Sequence, residues 1–244
     1  MTPQITITPA KSYVMQSKSI ESVLKHIDND KTLVLLDIDN TIFEPVDGRG
    51  SQQWVTTLIK HAHSLGLDSM QAHDALAELF FDIQMSAAVQ AVEQSVISMI
   101  KNLQEQTIPV VGLTARSHPI VQRTIDQLSS ISIDLSHTSL RLIKAWETAH
   151  LLYPEQAAYT NGVVFSGFNP KGDLLTTLLQ HTGFVPEKII FVDDQIKYLA
   201  SVEKSAAELN IPFIGIHYTY LDEKVRNFVI DQESITRCFA QKTL

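Results

Sequence analysis

The chain has 244 residues, of which 44% are hydrophobic, a formal net charge of −8 at pH 7 and a single cysteine, Cys238. This length accommodates one α/β domain and a smaller accessory segment, and the negative charge argues against a surface for nucleic acid or an anionic membrane, because both attract clustered Lys and Arg. One cysteine excludes an internal disulfide and makes a reducing compartment the default, while the lack of about 18 consecutive apolar residues and of a signal-peptide pattern predicts a soluble protein.

Five short apolar segments predict β-strands. The first is TLVLLD at residues 32–37, and the others span residues 108–114, 131–135, 188–194 and 211–218. These segments are almost continuous in Val, Ile, Leu and Phe, which is typical of strands that helices cover on both faces. Helical patterns at residues 120–128, 173–180 and 198–209 lie between the later strands. The predicted fold class is therefore α/β, with a Rossmann-like, doubly wound parallel sheet.

Residues 47–106 interrupt this alternation of strands and helices. A loop of that length without its own structure is rare in compact domains, and the apolar spacing predicts three helices at residues 52–65, 71–83 and 89–103. We therefore expect a helical insert after the first strand, with residues 1–46 and 107–244 forming the core. A second interruption is a β-hairpin, which Asn161 followed by Gly162 predicts between two β-prone segments.

Polar residues follow the predicted strands where each strand ends. They are Asp37 and Asp39 after the first strand, Thr114 after the second, and Asp193 and Asp194 after the strand that begins at Lys188. In open α/β sheets these C-terminal strand ends converge on the ligand site. Clustered carboxylates repel one another, so the site needs a compensating cation, and Mg²⁺ prefers such oxygen ligands.

Four motifs occur in one order along the chain: DIDNT (37–41), GLTAR (112–116), NPKG (169–172) and FVDD (191–194). They resemble the motifs of the haloacid dehalogenase superfamily of phosphohydrolases. The resemblance implies that Asp37 is the nucleophile that becomes an aspartyl-phosphate, and that Asp39 is the general acid and base. It also implies that Thr114 and Lys171 hold and neutralise the phosphoryl group. The presence of Asp39 implies phosphate-ester chemistry rather than dehalogenation.

The same resemblance implies the metal ligands, the role of the insert and the substrates. Mg²⁺ would be held by Asp37, the backbone carbonyl of Asp39 and Asp193, with Asp194 in support. The helical segment 47–106 resembles a cap that closes over the site, and a phosphorylated small molecule or a phosphoprotein is the implied substrate. The sequence departs from one family pattern, because Val192 stands where some members have glycine.

The segments QQWVTTLI and NGVVFSGFNPKGDLL, together with GLTAR, also resemble a poorly characterised subfamily from intracellular bacteria. This resemblance implies a phosphatase that is either cytoplasmic or secreted into a host cell. It implies no particular substrate.

Each motif also has a simpler interpretation by itself. The alternatives are an acidic helix-capping loop for DIDNT, a helix N-cap for Thr114, a solvated side chain for Lys171 and an ordinary turn for Asp193 and Asp194. The phosphatase hypothesis therefore depends on the four motifs occurring together.

Two other functional classes share parts of the pattern. A receiver domain surrounds Mg²⁺ with acidic residues, a threonine and a lysine, but its lysine comes last, whereas Lys171 precedes the final acidic pair. A catalytically silent binding protein of the same fold is the second alternative. Arg116 either contacts substrate or is structural. His61, His63 and His73 could suggest a metal site, but His61 and His63 are two residues apart on a predicted helix and do not share a face, so no metal site is predicted there.

Overall fold

A computed structural model describes residues 12–240, apart from the side chains at positions 232, 237 and 240. Its strands are β1 (Tyr13–Ser17), β2 (Thr32–Leu36), β3 (Phe43–Pro45), β4 (Val89–Ala91), β5 (Val110–Thr114), β6 (Ala158–Thr160), β7 (Val163–Phe165), β8 (Lys188–Asp193) and β9 (Phe213–Tyr218). Seven of them form one sheet in the order β1-β9-β8-β2-β5-β7-β6, and β3 and β4 form a separate pair. Neighbours in the large sheet run parallel, except that β6 is antiparallel to β7.

Eight α-helices occur in the described residues, and those that pack on this sheet cover both of its faces. The eight helices are α1 (Gln52–Ser64), α2 (Ser69–Ser86), α3 (Ser95–Glu105), α4 (Val121–Ser130), α5 (Lys171–Thr182), α6 (Ile196–Glu208), α7 (Asp222–Arg226) and α8 (Gln232–Ala240). Alternate residues of β2 pack in different clusters: Val34 and Leu36 with residues of α3, and Leu33 and Leu35 with residues of α5 and α6. The predicted α/β class and doubly wound parallel sheet are confirmed.

The predicted hairpin is present at residues 158–165. Asn161 and Gly162 both have positive φ, 48° and 74°, which a two-residue type I′ turn requires. A Cβ at Gly162 would lie 2.2 Å from the backbone oxygen of Leu135, so glycine is needed there for space as well as for conformation. Strand β7 of this hairpin also pairs with β5, which makes it part of the central sheet.

The strand predicted at residues 131–135 is wrong. Ile131 is the C-cap of α4, Ser132 has a φ of 64°, and Leu135 begins a 3₁₀ turn that runs to Thr138. Ile133 and Leu135 are nonetheless buried in the cluster on one face of the sheet. Their apolar character reflects a buried turn, and a short apolar segment does not distinguish these two structures.

Strand β1 was not predicted from the sequence. Among the described strands it pairs only with β9, at the edge of the sheet, and it alternates between exposed and partly buried residues. A strand of this kind lacks the continuous apolar sequence on which the other predictions rested.

The insert contains α1 and α2 where helices were predicted. Ser51 caps α1 by accepting a hydrogen bond from the backbone of Trp54, and Asp68 and Gln71 form a capping box at α2. The third predicted helix begins later, at Ser95, because residues 89–91 pair with β3 as β4. Hereafter "the insert" denotes residues 46–88, between β3 and β4.

The two insert helices share a small apolar core with the C-terminal segment. Trp54 and Leu58 of α1, Leu76 of α2 and Ile235 of α8 are its buried members. Helix α3 packs elsewhere, on the central sheet, through Val96 and neighbouring residues. The division of the chain into a core and a cap at residues 47–106 stays a prediction. None of the described helices combines the length and the apolar sequence that crossing a bilayer requires.

Candidate active site

Three neighbouring strands bring the predicted site residues to one edge of the sheet. The order β8-β2-β5 places Asp193, the last residue of β8, and Thr114, the last of β5, on either side of the end of β2. Asp37 follows β2, and its backbone N–H donates to the carbonyl of Val192 at 2.9 Å. The parallel register therefore carries residues more than 150 positions apart to one location.

Asp37, Asp193 and Asp194 form a compact carboxylate cluster, with one oxygen of each within 4.8 Å of the others. Lys171 lies against it: its Nζ donates to Oδ1 of Asp37 at 2.6 Å and to Oδ2 of Asp193 at 2.7 Å. The side chains of Lys171 and Asp193 have no exposed surface. Both ion pairs are therefore shielded from water and strengthened by the low local dielectric constant.

Helix packing brings Lys171 to this location. It is the first residue of α5, and the next residue is Gly172. A Cβ at Gly172 would lie 2.3 Å from the carbonyl oxygen of Ser201 in α6, so glycine permits the close approach of the two helices. On the other side, the Lys171 ammonium lies 4.3 Å from the ring centroid of Tyr198, a favourable cation–π distance.

The cluster shifts the pKa values of its members. Burial raises the pKa of Asp37 to about 7, where the charges of Asp193 and Asp39 add to the increase and Lys171 opposes it. Burial likewise raises the pKa of Asp193 to about 6 and that of Asp194 to about 7. Burial alone would lower the pKa of Lys171, but the carboxylates of Asp193 and Asp37 raise it above its usual range.

A divalent cation fits this cluster. When all three carboxylates are ionised they carry three negative charges and Lys171 supplies one positive charge, which leaves two negative charges uncompensated. Oδ1 of Asp194 is buried and has no hydrogen-bond partner among the described residues. A buried carboxylate oxygen without a partner is costly, and hard oxygen ligands of this kind are those that Mg²⁺ prefers.

Asp39 lies outside this cluster and is paired with Arg116. Oδ1 of Asp39 accepts from Nη2 at 2.8 Å, and Oδ2 accepts from Nε at 2.9 Å. The Asp39 side chain is 25% exposed, whereas that of Arg116 is 3% exposed. The Asp39 side chain is therefore partly accessible to solvent, while a buried guanidinium holds both of its carboxylate oxygens.

Thr114 contributes to the turn that presents Arg116. Its hydroxyl oxygen accepts from the backbone N–H of Arg116 at 3.1 Å, and its carbonyl accepts from the backbone and the hydroxyl of Ser166. Thr114 as a whole is 1% exposed. Its hydroxyl oxygen therefore serves the turn that leads to Arg116, whereas the N-caps of the next two helical segments are Ser117 and Ile120.

Asn40 was not singled out from the sequence, yet it links the insert to the cluster. Its φ is 59°, a left-handed conformation that asparagine tolerates better than most residues. Its amide donates to Oδ2 of Asp194 at 3.3 Å and to Oε1 of Gln53 in α1 at 3.2 Å. An asparagine directly after two site aspartates is the signal that sequence reasoning could have used.

If a cation occupies the cluster, Mg²⁺ will raise the melting temperature more at about pH 8 than at about pH 5. A carboxyl group whose folded pKa exceeds its unfolded pKa stabilises the fold at low pH, and this contribution is lost as the pH rises through the folded pKa. The metal-free protein should therefore lose stability towards pH 7, where Asp37, Asp193 and Asp194 become charged. Cation binding compensates that charge, and an ion at about 100 times its Kd adds about 2.7 kcal/mol.

Differential scanning calorimetry in EDTA and in excess Mg²⁺ measures this effect. Asp194→Asn removes one carboxylate charge and should reduce the Mg²⁺ increment, whereas Asp126→Asn, an exposed residue of α4, should retain it. An increment that is absent, or that is the same in all three proteins, would contradict the prediction.

The described part of the chain is an α/β protein with a buried acidic cluster at the C-terminal edge of its sheet. Residues 15–243 match the family DUF2608, described as proteins of unknown function, and the chain belongs to that family.

Relatives and one solved structure resemble the chain at low identity. A Chlamydia muridarum protein named "Putative outer membrane protein" is 25% identical over 98% of this chain and 89% of its own length. A Chlamydia trachomatis protein of the same name is 25% identical over 87% of this chain and 79% of its own. An uncharacterized protein of Rickettsia prowazekii is 25% identical over 85% and 76%. A haloacid dehalogenase-like hydrolase structure from Streptococcus pneumoniae aligns with a TM-score of 0.46 and 14% identity over 75% of this chain and 93% of that chain.

Proposed function

We propose that this protein is a Mg²⁺-dependent phosphatase that hydrolyses a phosphate monoester through an aspartyl-phosphate on Asp37. The observation that carries the proposal is the buried contact of Lys171 with both Asp37 and Asp193, beside Asp194. A structural salt bridge needs one carboxylate for one lysine. When ionised, three carboxylates beside one lysine leave a charge of −2, which matches a divalent cation, and an anionic phosphoryl group would bind beside that cation and Lys171.

In the first step Asp37 attacks phosphorus. Oδ1 of Asp37 is hydrogen-bonded to Lys171, so Oδ2 is the oxygen that would form the new P–O bond. The bond between phosphorus and the leaving oxygen breaks, and that oxygen takes a proton from Asp39, which stands two residues further on. The products of this step are the free alcohol and an aspartyl-phosphate.

In the second step water releases the phosphate. Asp39, now a carboxylate, takes a proton from the water as the water oxygen attacks phosphorus. The bond between phosphorus and Oδ2 of Asp37 breaks, which regenerates the Asp37 carboxylate and gives inorganic phosphate. One residue thus serves first as acid and then as base, which requires it to stay in one location through both steps.

Other residues of the site would bind and neutralise the phosphoryl group. The Lys171 ammonium touches the nucleophile, so its positive charge lies where negative charge accumulates on the phosphoryl oxygens. The Thr114 hydroxyl accepts from Arg116 and keeps its own hydrogen for a phosphoryl oxygen. Mg²⁺, held by Asp37, Asp193 and Asp194 and by the backbone carbonyl of Asp39, would offset phosphoryl charge and thereby favour attack by an anionic nucleophile.

The insert would act as the cap that covers the site. Its helices already contact site residues, since Gln53 of α1 hydrogen-bonds Asn40 and Gln84 of α2 hydrogen-bonds Arg116. A cover of this kind excludes water and limits which substrates enter. We propose a phosphorylated small molecule or a phosphoprotein as the substrate class.

The proposal predicts Mg²⁺-dependent release of inorganic phosphate from 4-nitrophenyl phosphate by the purified protein. The rate should fall to background in EDTA and recover when Mg²⁺ is restored, because the cluster carries uncompensated charge without the ion. A screen of phosphorylated metabolites and phosphopeptides would then define the substrate. If no ester is hydrolysed although Mg²⁺ and phosphate bind, the protein is a binding protein of the same fold.

A further inference from the structure

The residue behind Asp39 has a role that the four motifs do not assign. We propose that Arg116 is a positioning residue, which fixes the Asp39 carboxylate for proton transfer, and that Gln84 of the insert locks Arg116 in place. This inference rests on the proposed function, because it assumes that Asp39 is the acid. It concerns the insert as well as the core, since Gln84 belongs to α2.

All N–H donors of Arg116 are engaged. Nε and Nη2 form a two-point contact with Asp39. Nη1 donates to Oγ1 of Thr124 at 3.1 Å and to Oε1 of Gln127 at 2.7 Å, and Nη2 donates its second hydrogen to Oε1 of Gln84 at 3.1 Å. A guanidinium has five N–H groups, so these five hydrogen bonds use every donor.

This arrangement excludes direct substrate binding by Arg116 in the described conformation. A phosphoryl oxygen could reach the guanidinium only by replacing one of the five partners. The cation is also stacked against the ring of Phe43, with Cζ 4.9 Å from the ring centroid, and Phe43 has no exposed surface. Of the two roles that the sequence left open for Arg116, the geometry favours the structural one, directed at Asp39.

The two-point contact between Arg116 and Asp39 restricts the orientation of the carboxylate more than a single hydrogen bond would. The planar guanidinium sets the distance of both carboxylate oxygens and also the plane in which they lie. Asp39 is only two residues from the proposed nucleophile, and a quarter of its side chain remains exposed although both of its carboxylate oxygens accept from Arg116. Each carboxylate oxygen keeps a lone pair that Arg116 does not use, and the two-point contact fixes the direction of that lone pair.

Gln84 connects this contact to the insert. It has no exposed surface, its Oε1 accepts from Arg116, and its Nε2 donates to the carbonyl of Gly50 at 2.7 Å. Gly50 has a φ of 74°, and a Cβ there would lie 2.9 Å from Nε2 of Gln84. The insert thus closes the pocket around Arg116, and its docking on the core is coupled to the position of Asp39.

Phosphate esters with different leaving groups test whether Arg116 positions Asp39 for proton transfer or only supports the fold. Nitrophenolate leaves readily without a proton, whereas the alkoxide of an alkyl phosphate needs one in the transition state. Arg116→Lys keeps the charge but loses the two-point contact. We expect it to lower kcat about 100-fold for glycerol 2-phosphate and less than about 5-fold for 4-nitrophenyl phosphate, with KM for both nearly unchanged. Gln84→Leu should show the same selectivity to a smaller extent.

The matched control is Arg123→Lys. Arg123 also joins α4 to the insert, through the carbonyls of Gln84 and Ala87, but it does not touch Asp39. It should leave the ratio of the two kcat values as in the wild type. If Arg116→Lys lowers both kcat values equally, or neither, the positioning role is overturned.

Crystal structures decide the proposal independently of activity. In Arg116→Lys we expect the Asp39 carboxylate to rotate or shift while Asp37 and Lys171 stay in place. An unmoved Asp39 would overturn the inference. A wild type that hydrolyses neither ester would contradict the proposed function, and the displacement of Asp39 would then still establish or overturn the positioning role.

Discussion

Asp37→Asn is expected to lower phosphate release from any ester by at least about 10⁴-fold, since loss of a nucleophile removes the covalent route altogether. An amide nitrogen or oxygen does not replace a carboxylate as the group that attacks phosphorus. The variant should nevertheless fold. Asp37 contributes one of three clustered negative charges, and burial already raises its pKa to about 7, so removing that charge relieves repulsion with Asp193 and Asp194. Lys171 keeps its ion pair with Asp193.

The comparison needs both a kinetic and a structural control. Asp126→Asn changes the same residue type on the exposed face of α4, where the side chain accepts from Gln122, and it should retain wild-type turnover. Melting temperatures measured on both variants separate loss of chemistry from loss of fold. Turnover by Asp37→Asn near the wild-type rate would show that the nucleophile has been wrongly assigned.

The site aspartates could be predicted because strand ends in a parallel sheet converge. Asp37, Asp193 and Asp194 each follow a continuous apolar segment, so a sheet with neighbouring parallel strands brings them together without any knowledge of side-chain contacts. Lys171 was harder to predict, since it lies at the beginning of a helix. Its place against Asp37 depends on the close approach of α5 and α6 at Gly172.

The roles of Arg116 and Gln84 could not be predicted in the same way. Arg116 contacts Asp39, which lies 77 positions earlier in the sequence, and Gln84, which lies 32 positions earlier. Arginine and glutamine are usually exposed, so neither residue type indicates a buried position. A buried arginine needs hydrogen-bond acceptors for its N–H groups. One acceptor for Arg116 is Gln84, whose place beside Arg116 is known only from the three-dimensional packing of the insert. The error at residues 131–135 has a related origin, because the burial of Ile133 and Leu135 comes from packing rather than from strand pairing.

Lys171→Met is expected to lower the free energy of unfolding by about 3 to 5 kcal/mol at about pH 8 in the absence of divalent ions, because it leaves buried carboxylates without their counter-charge. Methionine has similar length and no charge, so the packing beside Tyr198 changes little. The pKa values of Asp37 and Asp193, already raised by burial, should rise further.

The pH dependence of that loss identifies its cause. Carboxyl groups whose folded pKa is raised bind more protons when folded, so their contribution to stability falls as the pH rises through that pKa. The deficit of Lys171→Met should therefore be smaller at about pH 5 than at about pH 8 when measured by urea denaturation in EDTA. Lys188→Met is the control: Lys188 pairs with the exposed Asp28 and donates to the carbonyl of His26, so its removal leaves no buried carboxylate without a counter-charge and should cost less. A Lys171→Met deficit no larger than that of Lys188→Met, or equal at both pH values, would mean that Lys171 does not neutralise the buried carboxylates.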